Sequence, residues 1–342
     1  MKLVSTTLAG PSSPGNLADA LESVLPVVDE CIVILSGGGD AAASVARRLC
    51  EEFGKPLRVV RYHWRDDYGQ ARQFALEVAI QFGFDWAVTL DDDERIEWMG
   101  MKPGIDVGAK LVRNQLNAIL TDTELDVLVM QDRDVDYSKA RIIRCTDRIQ
   151  WVGRYHEQLS GARVPFGLMP GVFWELPKTD AQKRKVFERA VAWLTEEPQW
   201  LEQHHFRRHY ADCLIGLGRY VEASAELEAL EAIEHELTPD EAGFIQYRLA
   251  ELEVVQGQLD QGFARAGMGA ARFPQRIQEF GWLLAHVNAV WGNGKAAALW
   301  AEYALGLPVD PFVMGQRSPS WRIGCEELLQ RIHAENAKAA AE

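Results

Sequence analysis

Between Arg61 and Ile96 the chain reads RYHWRDDYGQARQFALEVAIQFGFDWAVTLDDDERI. Tyr68–Phe82 carries apolar residues at helical spacing, and Trp86–Leu90 is a short apolar run ending on four successive carboxylates, Asp91-Asp92-Asp93-Glu94. A helix leading into a buried strand is part of a strand–helix–strand unit. The residues before it supply more of the same. Lys2–Leu8 reads as a strand closed by Gly10-Pro11, with Asn16 as the N-cap of a helix through Leu25. Cys31–Leu35 is a second strand, stopped by Ser36-Gly37-Gly38-Gly39-Asp40; Ala41–Phe53 is a helix and Leu57–Arg61 a third strand. Units of this length predict a Rossmann-like α/β domain, its sheet mostly parallel and covered by helices on both faces. Ligands of such sheets bind beyond the carboxyl ends of the strands. The glycine-rich turn after the second strand and the acidic run after the fourth both fall there.

Downstream, a helix near Ala109–Leu120 precedes a strand Asp126–Gln131 and a run Ala140–Arg144 before Trp151-Val152-Gly153. Pro165–Pro177, rich in Pro, Gly and aromatics, reads as a domain edge. From Asp180 the pattern is helix after helix: Phe206–Leu217 with Val221–Ala232, Ala242–Val255 with Asp260–Phe273, and Ile277–Trp291 with Lys295–Leu305. The turn glycines Gly218, Gly257 and Gly292 are 39 and 35 residues apart. That period is near the roughly 34 residues of a tetratricopeptide repeat. Residues 1–180 are therefore expected to form a ligand-binding catalytic domain and 181–342 an all-α, tetratricopeptide-like helical-repeat domain. A plain helical bundle is the alternative for the second.

With 50 acidic and 36 basic residues the formal charge is −14, divided evenly between residues 1–180 and 181–342. No basic arm stands out, so nucleic acid is disfavoured as a partner. The five cysteines, Cys31, Cys50, Cys145, Cys213 and Cys325, are scattered and never spaced Cys-x-x-Cys, which predicts reduced thiols in a cytoplasmic protein. The amino end is too short in apolar residues for a signal peptide, and no stretch has the ~18–20 apolar residues of a membrane span.

Four adjacent carboxylates repel one another unless a cation neutralises them. At a strand end, residues i and i+2 can face the same way, so Asp91 and Asp93 are expected to share one divalent ion while Asp92 points aside. Hard oxygen ligands suit Mn²⁺ or Mg²⁺, which join carboxylates to substrate phosphates. The plain alternative is a solvated acidic turn or a helix cap.

The stretch resembles the core of the family 2 glycosyltransferases of the GT-A fold. Trp64, Asp67-Tyr68, Ala71-Arg72-Gln73, Asp85-Trp86 and Leu90–Glu94 hold the places of that family's tryptophan, acidic-aromatic pair, Ala-Arg-Asn, Asp-Trp and Leu-Asp-x-Asp-Glu. Further on, Arg141-Ile-Ile-Arg144 and Trp151-Val-Gly153-Arg-Tyr-His156-Glu157 resemble its Arg-x-x-Arg and Gly-x-x-His-Glu segments. Helical-repeat tails also occur in this branch. The resemblance implies an inverting transfer of sugar from a nucleotide-diphosphate sugar, a UDP-sugar in the first place, to a protein, peptide or glycan acceptor. It implies a donor site of Thr7, Leu8 and Ala9, then Ser36, Asp40, Arg72, Asp91 and Asp92. The metal falls to Asp91 and Asp93, the base to Glu157 with His156 beside it, and the acceptor to Trp151. A structural ion pair is the alternative for His156-Glu157, and a surface salt bridge for Arg72.

Departures from the pattern bear on the donor. Leu35 replaces an aspartate that reads the base, and Gln73 replaces the asparagine. A histidine that completes the metal shell has no counterpart; Phe173-Trp174-Glu175 holds its place, so either Glu175 substitutes as a ligand or metal binding is weaker. A catalytically inactive binding protein is accordingly a second reading, and a nucleobase-modifying glycosyltransferase a third. Nucleotidyl transfer is disfavoured, because Ala9-Gly10-Pro11-Ser12-Ser13 lacks a basic residue. Among the tryptophans, Trp64, Trp98 and Trp174 are read as core, and Trp151 as the exception. His205 and His209, at helical spacing, lack a recognisable third metal ligand. The tail is expected to hold acceptor or partner, self-association into a homo-oligomer included.

Overall fold

The computed structural model describes residues 1–10, 14–37, 39–99, 106–121, 124–133, 138–163, 167–308 and 320–341. Pro11 and Gly38, read above as parts of strand-ending turns, lie outside them. The chain divides into two compact units whose boundary in sequence is Lys178–Thr179.

The first unit opens with β1 (Leu3–Ala9), α1 (Pro14–Val24), β2 (Glu30–Leu35), α2 (Asp40–Glu52), β3 (Leu57–Arg61), α3 (Tyr68–Gln81) and β4 (Trp86–Asp91). It continues with β5 (Glu94–Trp98), α4 (Asp106–Thr121), β6 (Val127–Asp132), β7 (Ser138–Arg144), β8 (Gln150–Val152), β9 (Gln158–Ser160) and β10 (Gly167–Glu175). Eight strands form one sheet in the order β3-β2-β1-β4-β7-β6-β10-β5, while β8 and β9 pair separately. Every residue of β1 is buried, Ser5, Thr6 and Thr7 included, as the centre of a sheet covered on both faces requires. The β3-β2-β1-β4 half is parallel, and β1 is the point from which the chain first winds one way and then the other. Beyond β4 the sheet is mixed: β7 is antiparallel to β4 and β6, β10 parallel to β6, and β5 antiparallel to β10.

One expectation changes: Asn16 lies inside α1 and is not its cap. The acidic run forms a strand-end turn, with Asp91 closing β4, Asp92 and Asp93 in the turn, and Glu94 opening β5. The segment read as a domain edge also contains a strand, β10, whose register shifts between Leu168 and Val172, an irregularity that accommodates the Pro-Gly pair. Gly171 suits the place: a Cβ would stand a tight 3.1 Å from the Glu97 carbonyl oxygen and from Met130 Cε.

The second unit comprises α5 (Asp180–Glu196), α6 (His204–Gly216), α7 (Tyr220–Glu231), α8 (Pro239–Val255), α9 (Leu259–Arg272), α10 (Ile277–Val290), α11 (Gly294–Gly306) and α12 (Ser320–Ala341). Thr179 and Gln182 close a capping box at the start of α5. The pairs α6–α7, α8–α9 and α10–α11 are joined by the same device. Gly218, Gly257 and Gly292 sit at φ 75°, 81° and 77°, and the next residue's N–H reaches back to Leu214, Glu253 and Asn288 respectively. This is the Schellman closure, which needs a residue free to adopt left-handed backbone. Gly262 lets α9 lie on α8, where a Cβ would meet Val254 Cγ2 at 2.6 Å.

This unit also buries charge. Arg276 is fully buried and its guanidinium serves two carboxylates, Asp240 at 2.7 Å and Glu279 at 3.1 Å. Burial pushes Glu279 up to about 7, with Arg276 opposing and Asp240 adding to the rise. The folded state therefore keeps a proton that the unfolded chain has already released. Stability is lost as pH rises from the ordinary carboxyl range through about 7, by roughly 3 kcal/mol once Glu279 is ionised. Thermal unfolding at pH 5 and pH 8 checks this: wild type is expected to lose stability at pH 8 relative to Glu279→Gln, in which this contribution is flat.

Candidate active site

The site assembles at the carboxyl ends of β1 and β4, where the winding direction reverses. Parallel pairing sets Leu8 opposite Asp91. The Asp92 N–H donates to the Leu8 carbonyl (3.0 Å), and the Asp92 carboxylate turns back to accept from the Gly10 N–H (3.1 Å). Asp91 and Asp93 are thereby left facing other partners.

Arg72, carried on α3 and only 7% exposed, donates to Asp91 Oδ2 at 2.7 Å and to Glu157 Oε1 at 2.6 Å. It is not a surface salt bridge. A third, longer contact runs to Thr89 Oγ1 (3.4 Å), and the guanidinium lies over the Trp151 ring, 5.4 Å from its centre. Burial works against its charge, but Asp91 and Glu157 outweigh it and raise its pKa. Burial also pushes Asp91 up to about 7, with Glu94 and Asp93 adding and Arg72 opposing. Asp91 Oδ1 is buried and has no hydrogen-bond partner among the described residues.

Asp93 is met by Lys178 Nζ at 3.5 Å, and the same ammonium lies 3.2 Å from Glu175 Oε2. Glu94 is almost fully buried; its Oε2 accepts the Asp91 N–H (2.9 Å), while Arg141 pairs with it and Lys139 lies 3.5 Å away. Desolvation alone would raise Glu94, yet Arg141 and Lys139 hold it well below the usual carboxylate range. Glu175 is placed beside this group by the β5–β10 register, which sets it opposite Glu94, and it pairs with Lys139 as well. Each acidic side chain of the run thus has a partner within the unit. Of the basic and bridging partners, Arg72, Arg141 and Glu175 stand in segments singled out from the sequence. Lys139 and Lys178 were not found, because nothing local to them marks their partners.

The opposite wall is the turn between β8 and β9. Gly153 at φ 93° and His156 at φ 54° bend it, the latter an uncommon conformation for a residue with a side chain. The turn sets Glu157 against Arg72 and packs on the start of α3. There the Tyr68 N–H donates to the Arg154 carbonyl (2.9 Å), and a Cβ on Gly69 would stand 2.2 Å from the Gly153 carbonyl oxygen. Gln73, the departure from asparagine, accepts the Trp151 N–H at 2.9 Å, so it ties α3 to β8. Trp64, Tyr68 and Tyr155 make a chain of edge contacts with ring centres 4.9 and 5.7 Å apart.

The remaining expected donor residues lie along the same carboxyl edge of the sheet, toward β2. The side chains of Thr7, Leu8 and Ala9 are buried within the sheet. Ser36 donates from both its N–H and its hydroxyl to the Ala9 carbonyl. Leu35 is buried beside them, whereas Asp40 is exposed and pairs with Arg61 at 2.9 Å. Trp98 is core, its Nε1 donating to the Ser23 carbonyl. Trp174 is flanked by Arg133 and Arg95, at 4.5 and 5.8 Å from its centre. In the helical unit the rings of His205 and His209 meet edge to face with centres 4.5 Å apart, but His209 Nε2 lies 3.0 Å from Arg208, which disfavours a cation there.

No known family's profile matches the chain, and no curated protein matches it. Solved structures similar to it include those of S. aureus TarS. The TarS 1–349 complex with UDP-GlcNAc is 12% identical with a TM-score of 0.39, over 91% of this chain and 93% of that chain. The same segment with UDP is 13% identical at a TM-score of 0.31, with the same coverage. A longer TarS structure is 10% identical at 0.38, over 72% of this chain and 52% of that one. These are distant likenesses, and the chemistry of the site stands on its own geometry.

Proposed function

We propose that the first unit is a glycosyltransferase domain of the family 2, GT-A type. It moves a sugar from a nucleotide-diphosphate donor, a UDP-sugar first, to a hydroxyl of a protein, peptide or glycan, with inversion and with Mn²⁺ or Mg²⁺. The observation that carries this reading is Arg72, a buried cation joining Asp91, at the strand end where donors bind, to Glu157 on the turn that faces it. The second unit, read as tetratricopeptide-like repeats, would hold the acceptor or a partner, a second copy included.

The residues present fit a divalent ion. Asp91 Oδ1 is a buried hard oxygen without a partner among the described residues, and Asp93 stands two residues on. Among the described residues no three His, Cys, Asp or Glu side chains enclose a metal by themselves. An ion held by Asp91 and Asp93 would be completed by substrate phosphates and water. When bound, such an ion would offset the charge growing on the departing diphosphate.

The chain's own residues supply the rest. Glu157 accepts the proton of the acceptor hydroxyl as its oxygen attacks the anomeric carbon, while the bond to the diphosphate oxygen breaks on the opposite face. Arg72 fixes the Glu157 carboxylate, and the Trp151 face offers a surface on which a sugar ring can stack. Burial of Arg72 keeps its charge from being spent on solvent.

Thermal shift with nucleoside diphosphates and their sugars, with and without Mn²⁺, tests the reading on wild type and Asp93→Ala. A Mn²⁺-dependent rise in Tm with one nucleotide, absent in Asp93→Ala, is expected; at a hundred times Kd it corresponds to about 2.7 kcal/mol. No shift with any nucleotide would overturn the donor site and leave the inactive binding-protein reading.

A further inference from the structure

We propose that the Lys178 ammonium is the resident counter-ion of the Asp93–Glu175 pair, and that a divalent cation engages this pair only by displacing it. The inference rests on the metal-dependent reading above and concerns how the ion gains entry.

The pair is made by the fold. Antiparallel register sets Glu175 opposite Glu94, and the Leu176 N–H donates to the Asp93 carbonyl at 2.9 Å, so two carboxylates from distant segments come to share the Lys178 ammonium. Like charges held this close need a cation between them. Lys139 takes one oxygen of Glu175 from the β7 side. The other oxygen faces Lys178, which also lies 3.5 Å from Asp93. A monovalent ammonium thus stands between the carboxylate expected to hold metal and the one that replaces the missing histidine.

The ammonium is suited to leave. The Lys178 side chain is 41% exposed, and its two ion pairs are of the half-solvated kind worth about 0–1 kcal/mol each. Arg141, by contrast, is almost fully buried against Glu94 and has no such freedom. A divalent ion brings twice the charge and binds oxygen directly, at about 2.0–2.2 Å. Exchange is therefore feasible, and each displaced contact is subtracted from metal affinity. Lysine's flexible four-carbon stem lets the released ammonium remain near the same carboxylates.

Mn²⁺ titration of the full chain, followed by the electron-spin resonance of free Mn²⁺ without nucleotide, reads the competition directly. Lys178→Gln is expected to tighten Mn²⁺ binding about five- to tenfold, in line with losing two half-exposed ion pairs. Lys178→Arg, which keeps the charge, is expected to stay within about twofold of wild type, and Glu175→Gln to weaken binding. Unfolding midpoints of the three variants check that the fold is kept. Equal affinity in wild type and Lys178→Gln overturns the competition while leaving the metal site standing. Absence of Mn²⁺ binding in every form, with a nucleoside diphosphate present or not, overturns the metal-dependent reading and this inference together.

Discussion

Arg72→Met is expected to destabilise the first unit by about 3 kcal/mol at pH 7.5, and by clearly less at pH 5.5. Methionine keeps much of the stem but leaves Asp91 and Glu157, 23% and 16% exposed, without their shared cation. Breaking a buried pair by removing one partner costs about 3–5 kcal/mol, because the other charge is stranded. The pH dependence follows from Asp91. Burial already holds its carboxyl up at about 7, and losing Arg72 removes the main opposing charge. A carboxyl raised in the folded state costs stability as pH rises through its folded value, so the variant suffers most above 7. At pH 5.5 Asp91 is protonated in both forms and only the Glu157 contact is lost. Urea unfolding at the two pH values measures the difference. A change of less than about 0.5 kcal/mol at both would mean the bridge is ornamental. Arg72→Lys is expected to fall between, since an ammonium cannot span both carboxylates as the planar fork does.

Glu157→Gln has the larger effect on chemistry. The amide oxygen can still accept from Arg72, so the turn keeps its shape and the donor end is untouched. On the proposed reading what is lost is the group that takes the acceptor proton, for which about 10²–10⁴-fold in rate is the usual cost. Release of nucleoside diphosphate, with water as the acceptor, is expected to drop by that factor while the Mn²⁺-dependent thermal shift remains. Retention of more than about a tenth of the rate would place the base elsewhere. Loss of the donor shift as well would make Glu157 part of the donor site.

The first four strands and their helices were legible because each is a local signal, an apolar run bounded by glycine, proline or a cap. The same locality explains what was missed. β5, with the sequence ERIEW, has three charged residues in five: Glu94 and Arg95 are buried against partners distant in sequence, Arg141 and Asp19, and Glu97 is exposed. β10 carries proline and glycine that read as an edge, yet its neighbours tolerate the bulge these residues make. Among the site residues, Asp91 and Glu157 announced themselves by their motifs, but their common partner was open between phosphate, carboxylate and solvent. The acidic run seemed to demand a metal on charge grounds alone. Arg72, Lys178 and Arg141 show that much of the neutralisation is supplied by the chain, which only tertiary structure could disclose. In the helical unit the three glycines were readable because a Schellman closure asks for the same residue each time.

The contact between Gly69 and Gly153 has a consequence for how this protein can change over generations. Where a carbonyl occupies the place of a side chain, the spacing of α3 and the Glu157 turn is written in main chain, and point mutation has nothing there to adjust. Residues such as Trp151, on the short β8–β9 ribbon, are free of that constraint. If the proposed transferase reading holds, a lineage descended from this chain is expected to change acceptors by altering the ribbon's length and surface, and to inherit the spacing of α3 and the Glu157 turn unaltered.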